Sequence, residues 1–513
     1  MRTLEHTPVW KTIERGRIAH PRLTVFAAAF LVRLLFGALF FGSVDIINSS
    51  NDTVALWAGR PVFDMPYFPT INALLWFAGA LSSLWGLPLP LALKIGPILF
   101  DSLSAVLIYD LLSTQIPAIA LRAGILYALN PLALLITSFH GQWDSIALFF
   151  LLLAISARDS NGTAALREAS FGSLLAISLL IKPITLPFLA LIPPRKGDGA
   201  LWWPALAGLM FTFGAAFALF SVFGYSPIGA LARIGLYSMT GVQVFGLPFA
   251  PGLARFGLLT HRLALVSPAM LVLALLYHRR RLPATDAMLL FYLVTIATVG
   301  LSPQYLLWPL PLLVLSGRFR MATVYTTINS VFLLLYYMNP AASYYPFENL
   351  TVFAPLRVFE WLLPPPLLTS AALLPVVHIL GNVAIPVCAA ALAVLLLKNA
   401  LAQPPRSPET GRWTLRNTAS YTLPAILLGL SIFAAKLAIS NHELGSRLSA
   451  MWHSMPALYA MHVQSLEPTV ILVADFAGLK PFNVIVLLTL LIVIWAGAAL
   501  RDPPAPAPAE VPE

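Results

Sequence analysis

The sequence predicts an all-α polytopic membrane protein, and two features of the chain support that prediction. Of the 513 residues, 59% are apolar and only 10% are charged, whereas a soluble domain has roughly 25% charged residues. Apolar runs of about 20 residues, long enough to cross a hydrocarbon core, recur along the whole chain. A soluble fold is therefore excluded, and the runs predict one bundle of about 13–14 transmembrane helices.

The predicted organisation has three parts: a polar cytoplasmic segment (1–22), a transmembrane domain (23–500) and a cytoplasmic tail (501–513). The tail is rich in proline and alanine and is expected to be disordered, because proline cannot donate a helical hydrogen bond. The run at 70–86 is an uncertain span. The other candidate spans lie at 23–43, 91–113, 120–138, 145–157, 170–193, 201–223, 258–277, 286–301, 303–317, 322–338, 372–397, 421–440 and 481–500.

Basic residues set the predicted orientation. Five lysines and arginines precede the first span, and clusters such as Arg279-Arg280-Arg281 recur between later apolar runs, which is the pattern of cytoplasmic loops. The same pattern accounts for the net charge of +10, so no nucleic-acid partner is predicted. A long first outer loop, expected to contain interfacial helices, follows the first span. The predicted outer segments are 44–69, 224–257, 302–304, 339–371 and 441–480.

Asp45 directly follows the first span, at the predicted outer surface of the membrane. A carboxylate there can act as a general base on an acceptor hydroxyl, since partial burial is expected to raise its pKa toward useful values. A solvated loop aspartate or a helix cap is the alternative. In the same loop, Asn51-Asp52-Thr53 is interpreted as a cap before an amphipathic stretch.

A polar junction separates two apolar runs between residues 130 and 150. His140, Gln142, Trp143 and Asp144 occupy four of five consecutive positions. Such groups are costly at membrane depth unless they line a wet cavity or bind a ligand, which favours a functional interpretation. A tight turn in which Asp144 and Ser145 cap the next helix is the alternative, and both can hold together.

Three further polar residues are candidates for substrate binding. Lys182 precedes Pro183 in an apolar segment, where its ammonium suits a lipid phosphate, and snorkelling without a ligand is the alternative. Arg233 and Gln304 lie in predicted outer segments. The aromatic residues beside Gln304 are typical of an interfacial belt. No spacing resembles a metal site, and none is assigned.

The sequence does not decide on which side of the membrane the His140 junction lies. In one arrangement, residues 70–86 lie in the outer interface and 170–193 form a hairpin broken at Lys182-Pro183, which places the junction outside. In the other, both segments cross once and the junction is cytoplasmic. Proline disfavours helix continuation and a lysine facing lipid is expensive, so the hairpin is favoured.

Four sequence elements, at Asp45, at the His140 junction, at Lys182-Pro183 and from Ser302 to Trp308, occur in an order that resembles the order in integral-membrane GT-C glycosyltransferases. Over most of residues 25–320 the chain resembles these enzymes, and in particular the bacterial relatives of GPI mannosyltransferases. The elements are Asp45 with Gly59-Arg60-Pro61-Val62 and Tyr67-Phe68-Pro69, Asn130-Pro131 with the junction from His140 to Ser145, Lys182-Pro183, and Ser302 to Trp308.

The resemblance implies inverting transfer of mannose, or another hexose or pentose, from a polyprenyl-phosphate donor, with Asp45 as the base. The implied acceptor is a lipid-linked glycan, glycolipid or polysaccharide at the periplasmic face of a bacterial inner membrane. Membrane lipids are the other implied partners. Ser43 replaces the first aspartate of the family's acidic pair, which leaves dependence on a divalent metal open. Residues implied to bind substrate or the leaving phosphate are His140, Gln142, Asp144, Lys182, Arg233 and Gln304.

A transporter or flippase of lipid-linked sugars is the main alternative. It predicts an inverted repeat with paired broken helices, and the sequence has no evident repeat. The sugar, the acceptor, the linkage and the length of the lipid are not encoded in any recognisable motif.

Overall fold

The computed structural model is an all-α polytopic membrane protein, as the sequence predicts. It describes residues 20–39, 43–59, 68–158, 160, 162–191, 202–222, 225–226, 229–230, 245, 271–279, 282–298, 302–338 and 370–402. Within these ranges there is no β-strand. Six described helical segments are long and apolar enough to cross a membrane: Pro21–Ala38, Leu89–Gln115, Pro117–His140, Ala164–Ile181, Trp203–Val222 and Pro375–Ala402.

The described helices follow the predicted spans closely. Two π-helices cover Leu134–His140 and Leu380–Ala384, two 3₁₀-helices cover Pro183–Leu191 and Pro303–Leu307, and residues 271–278 are also helical. The α-helices are α1 (Pro21–Leu39), α2 (Val44–Trp57), α3 (Thr70–Trp85), α4 (Leu89–Gln115), α5 (Pro117–Ala128), α6 (Pro131–Ala133), α7 (Asp144–Arg158), α8 (Ala164–Ile181), α9 (Trp203–Val222), α10 (Ala284–Thr298), α11 (Pro309–Leu315), α12 (Phe319–Met338), α13 (Ser370–Ile379) and α14 (Ile385–Ala402).

Several predicted features lie outside the described residues. They are the N-terminal residues 1–19, residues 60–67 of the first outer segment, the candidate site residue Arg233, residues 258–270 of one span, the outer segments 339–369 and 441–480, the spans 421–440 and 481–500, and the tail 501–513. The predicted first outer loop does contain a helix, α2, which follows α1 directly. The interpretation of Asn51-Asp52-Thr53 as a helix cap is wrong, because these residues lie inside α2 and Ser43 is its N-cap.

Helices α1 and α4 run antiparallel, and their arrangement determines at which end of the bundle His140 lies. Arg22 Nε at the start of α1 donates to Asp110 Oδ1 near the end of α4 at 2.7 Å. At the opposite ends, Lys94 Nζ donates to the Gly37 carbonyl at 3.3 Å. The chain then turns back into α5 and its continuation to His140, so His140 lies at the same end of the bundle as the end of α1.

Helix α7 is the central helix of the described bundle. All of its residues from Asp144 to Arg158 are buried, as expected of a helix that is apolar on every side. It packs against α4 and α8. Asp144, its first residue, is therefore enclosed by protein.

The chain reverses direction after α8. This helix ends at Ile181, Lys182 is extended, and Pro183 begins the 3₁₀-helix. Leu180 at the end of α8 shares a buried apolar cluster with Phe220 at the end of α9. The two helices therefore end at the same end of the bundle, which agrees with a hairpin broken at Lys182-Pro183.

A separate buried network supports the α1–α4–α5 contact. Arg33 is fully buried, and its Nε donates to Asp101 Oδ2 at 2.7 Å. The hydroxyl of Tyr127 donates to the other Asp101 oxygen at 2.5 Å. Arg33 also donates to the carbonyls of Ala29 and Tyr127. These contacts pair the hydrogen-bond donors of the Arg33 guanidinium with oxygens of the protein itself. Arg33 therefore has a structural role.

Candidate functional site

Asp45 lies in the first turn of α2, and the N-cap Ser43 connects it to the His140 junction. The hydroxyl oxygen of Ser43 accepts a hydrogen bond from the Asp45 backbone N–H at 3.2 Å, which is the usual bond of an N-cap. The same hydroxyl donates to the His140 carbonyl at 3.1 Å. Ser43 thus joins the start of α2 to the end of the π-helix.

The junction itself is a tight turn that needs a glycine. Gly141 has φ +76°, a left-handed conformation that costs an L-residue with a side chain about 1–2 kcal/mol. A Cβ at this position would also press on the Ile46 side chain of α2. The turn therefore brings α2 against the junction and sets His140 and Gln142 on either side of Gly141.

One oxygen of Asp45 is held by two side chains. Asp45 Oδ2 lies 2.8 Å from His140 Nε2, and it also accepts a hydrogen bond from the amide nitrogen of Gln142. Among the described residues, Oδ1 has no hydrogen-bond partner. The Asp45 side chain is 39% exposed, whereas that of His140 is only 6% exposed. Asp45 therefore lies at the open side of the cluster with one oxygen available.

Behind Gln142 lies a buried ion pair. Lys182 Nζ donates to Gln142 Oε1 at 3.1 Å and forms a salt bridge with Asp144. The other Asp144 oxygen accepts a hydrogen bond from Trp308 Nε1 at 2.6 Å. A continuous chain of contacts thus runs from Trp308 through Asp144, Lys182 and Gln142 to Asp45.

The formal charges of this cluster do not favour an anion. Asp45, Asp144 and Lys182 together carry two carboxylates and one ammonium, which leave a single net negative charge, and protonation of His140 would only cancel that charge. The Lys182 ammonium is balanced by Asp144, and a charge paired at short range attracts a second anion weakly.

The pKa of Asp45 is lower than the sequence analysis expects. Burial acts to raise the pKa of this carboxyl, but interactions with His140, Lys182 and Gln142 outweigh burial and hold the pKa below its ordinary value of 3.8. The predicted rise is therefore wrong, because hydrogen-bond donors and positive charge favour the ionised form. Asp45 is a carboxylate at neutral pH.

The predicted residues thus divide into three groups. The structure brings Asp45 together with four of them, and Arg233 lies outside the described residues. Gln304, on the 3₁₀-helix Pro303–Leu307, is partly exposed, and its Oε1 accepts a hydrogen bond from Ser302 at 2.8 Å. That 3₁₀-helix packs against the π-helix and α7. The four residues gathered with Asp45 are His140, Gln142, Asp144 and Lys182.

Sequence reasoning missed two contributors. Trp308 is interpreted from the sequence as an interfacial belt residue, yet it is buried and bonded to Asp144. The rings of Tyr305 and Tyr292 lie against it, with centroids 4.1 and 5.4 Å away. Lys94 is the second, and it is fully buried. A lysine inside the predicted span 91–113 was the sequence feature that could have indicated it.

The contact between Asp45 and His140 also decides which end of the bundle holds the junction. Since Asp45 follows α1, the junction lies at the end of the bundle where α1 ends, which excludes the arrangement with the junction on the opposite side.

No group of three or more histidine, cysteine or acidic residues in the described ranges is placed to hold a metal. Ser43 carries no carboxylate, and its hydroxyl is engaged in the two hydrogen bonds given above.

Comparisons with protein-family models, curated proteins and solved structures found no match to the chain. The geometry of the cluster and the order of the sequence elements are therefore the basis for assigning a function.

Proposed function

We propose that the chain is an integral-membrane glycosyltransferase of the GT-C type. It transfers mannose, or another hexose or pentose, from a polyprenyl-phosphate sugar to a hydroxyl of a lipid-linked glycan, glycolipid or polysaccharide. The observation that carries the proposal is the Asp45 carboxylate, anchored through one oxygen and open at the other. A lipid-borne donor gives a reason for a polar site at the end of a membrane bundle.

The proposed reaction is an inverting displacement at the anomeric carbon. The acceptor hydroxyl lies at Asp45 Oδ1 and gives its proton to the carboxylate as its oxygen bonds to the anomeric carbon. The bond between that carbon and the phosphate oxygen breaks, and its electron pair leaves with the phosphate. His140 and Gln142 hold Oδ2 so that Oδ1 faces the acceptor, and orientation of this kind lowers the barrier.

The low pKa of Asp45 defines its role in this reaction. A carboxylate with a depressed pKa is a weak base toward an alcohol in the ground state. The hydroxyl becomes acidic only as its oxygen bonds to the anomeric carbon, so the proton moves late in the displacement. Asp45 first orients the hydroxyl through a hydrogen bond and then accepts its proton.

Donors outside the central cluster are assigned to the leaving phosphate. Negative charge develops there in the transition state, and positive groups or N–H donors aimed at it lower the barrier. Lys182 is balanced by Asp144, so we assign it to orienting Gln142. The amide nitrogen of Gln304 and the guanidinium of Arg233 are the proposed phosphate ligands.

We place the reaction at the periplasmic face of a bacterial inner membrane. Asp45 follows a span whose N-terminal side is rich in lysine and arginine, and such a segment stays in the cytoplasm. The acceptor is then a molecule that has already reached the outer leaflet.

The test is a transfer assay with purified protein, a panel of polyprenyl-phosphate sugars and membrane-lipid acceptors. With the productive donor, Asp45→Ala is expected to lower turnover by about 10²–10⁴-fold, the usual contribution of a positioned base. Asp52→Ala, in the same helix α2, is the matched control and keeps wild-type turnover. Equal turnover by Asp45→Ala removes Asp45 from the mechanism. Movement of a donor across the bilayer without product identifies a transporter instead.

A further inference from the structure

Lys94 is a buried lysine beside the site that none of the proposed chemical steps uses. It lies in the second turn of α4, and its side chain is fully buried. An ammonium in such a place is costly unless it meets polar partners. Its Nζ donates to the carbonyl of Gly37 in the last turn of α1, at 3.3 Å.

The stem of the same side chain contacts the junction. A Cβ built on Gly141 would lie 3.3 Å from Lys94 Cγ, so this turn packs directly on the lysine. Gly141 separates His140 from Gln142, the two residues that hold Asp45. One side chain therefore touches the helix end that leads into Ser43 and Asp45, and also the turn that binds the Asp45 carboxylate.

We infer that Lys94 is a positioning residue for Asp45, an inference that rests on the proposed function. The last carbonyls of a helix have no partner within the helix, and a lysine amino group that donates to one of them stabilises the last turn. Lys94 fixes the end of α1 relative to α4, while its stem supports the Gly141 turn. The distance between the Asp45 carboxylate and its two holders depends on both contacts.

A second contact from α4 supports this role. Ser145, at the end of the junction, donates to the carbonyl of Pro97 at 3.1 Å. Pro97 lies within one turn of Lys94 on the same helix, so this turn of α4 contacts the junction on both sides of Asp144. Helix α4 is thus the support on which both parts of the site are assembled.

Three substitutions test the inference. Lys94→Met keeps most of the volume and removes the hydrogen-bond donor, Lys94→Gln keeps a neutral donor, and Lys94→Arg keeps a long side chain that ends in a donor. Ser102→Ala is the matched control, because Ser102 is buried two turns further along α4 and its hydroxyl donates to Ile98 of the same helix. The measurements are kcat, the KM for the donor, and hydrogen exchange of backbone amides in 43–50 and 140–146.

Lys94→Met is expected to lower kcat by about 10–100-fold, the effect of misplacing a catalytic group by about 1 Å. The KM for the donor should stay within about two-fold of wild type, because the lost interaction does not bind substrate. Exchange should rise in 43–50 and 140–146 and stay unchanged in α9. Lys94→Arg or Lys94→Gln should recover part of kcat and of the protection.

Two outcomes overturn the inference. One is Lys94→Met with wild-type kcat and wild-type exchange at both segments. The other is a rise in exchange that is equal throughout the described helices, with no recovery in the Arg or Gln variant, because that pattern indicates a purely structural residue. If wild-type protein transfers no sugar, the proposed function fails, while the exchange measurement still decides whether Lys94 positions Asp45.

Discussion

Replacing Lys182 tests how much the buried ion pair between Lys182 and Asp144 contributes to the stability of the fold. In Lys182→Met the buried carboxylate of Asp144, with no exposed side-chain surface, loses its salt bridge. Its hydrogen bond from Trp308 remains. Gln142 loses the donor to its Oε1 at the same time, so the orientation of the amide that holds Asp45 is also released.

The magnitude follows from the burial of the pair. Removing one partner of a buried salt bridge costs about 3–5 kcal/mol, because it leaves an uncompensated charge in protein. The Trp308 hydrogen bond keeps the cost at the lower end, so about 3 kcal/mol is expected. In the double variant Lys182→Met with Asp144→Asn the charge is gone and an oxygen remains for Trp308. The double variant should therefore be more stable than Lys182→Met alone.

The assay is equilibrium unfolding in mixed micelles of SDS and a mild detergent, with the four proteins of the double-mutant cycle. Lys398→Met is the control, since it makes the same substitution at an exposed lysine and should stay close to wild type. A Lys182→Met protein as stable as wild type would refute the reasoning. So would a double variant whose loss equals the sum of the two single losses, because contacting residues should couple.

Three further predictions concern the turn, the carboxylate and the helix packing. Gly141→Ala should lose more stability than Gly59→Ala in thermal unfolding, because both glycines have positive φ but only Gly141 also meets a neighbouring side chain; equal losses contradict this. His140→Ala should raise the pKa of Asp45, since His140 lowers it, and the acid limb of kcat/KM should move to higher pH; an unmoved limb contradicts this. The depressed pKa of Asp45 also stabilises the folded state at pH values above the pKa of this carboxyl in the unfolded chain. That stabilisation is lost as the pH falls through the pKa in the folded state. Gly172→Ala should destabilise by about 1–3 kcal/mol, because its methyl group would press on a backbone carbonyl of α9, and wild-type stability in SDS unfolding contradicts this.

The helices were predictable because their signal is local. Apolar runs and basic flanks mark each span within the chain itself, and the described helices begin and end within a few residues of most predicted spans. Lys182-Pro183 is an example, since proline disfavours helix continuation and the helix does end at Ile181. The predicted candidates Asp45 and His140 also come together, although 95 residues separate them in the chain.

Contacts made across the bundle were not predictable in the same way. Trp308 and Asp144 are 164 residues apart, and an aromatic residue near the interface gives no sign of such a partner. The pKa of Asp45 was predicted in the wrong direction, because burial can be inferred from position whereas the donors that outweigh it can be identified only in the folded chain. Lys94 was visible in the sequence, but its contacts with Gly37 and with the Gly141 turn can be identified only in the folded chain.

The most direct measurement is an experimental structure of the protein with an unreactive phosphonate analogue of the polyprenyl-phosphate sugar. The account predicts that the anomeric carbon lies on the Oδ1 side of Asp45, with His140 and Gln142 still bound to Oδ2. The phosphonate should lie beside Gln304. An analogue bound at the opposite end of the bundle, or an Asp45 separated from the His140 junction, would contradict the account.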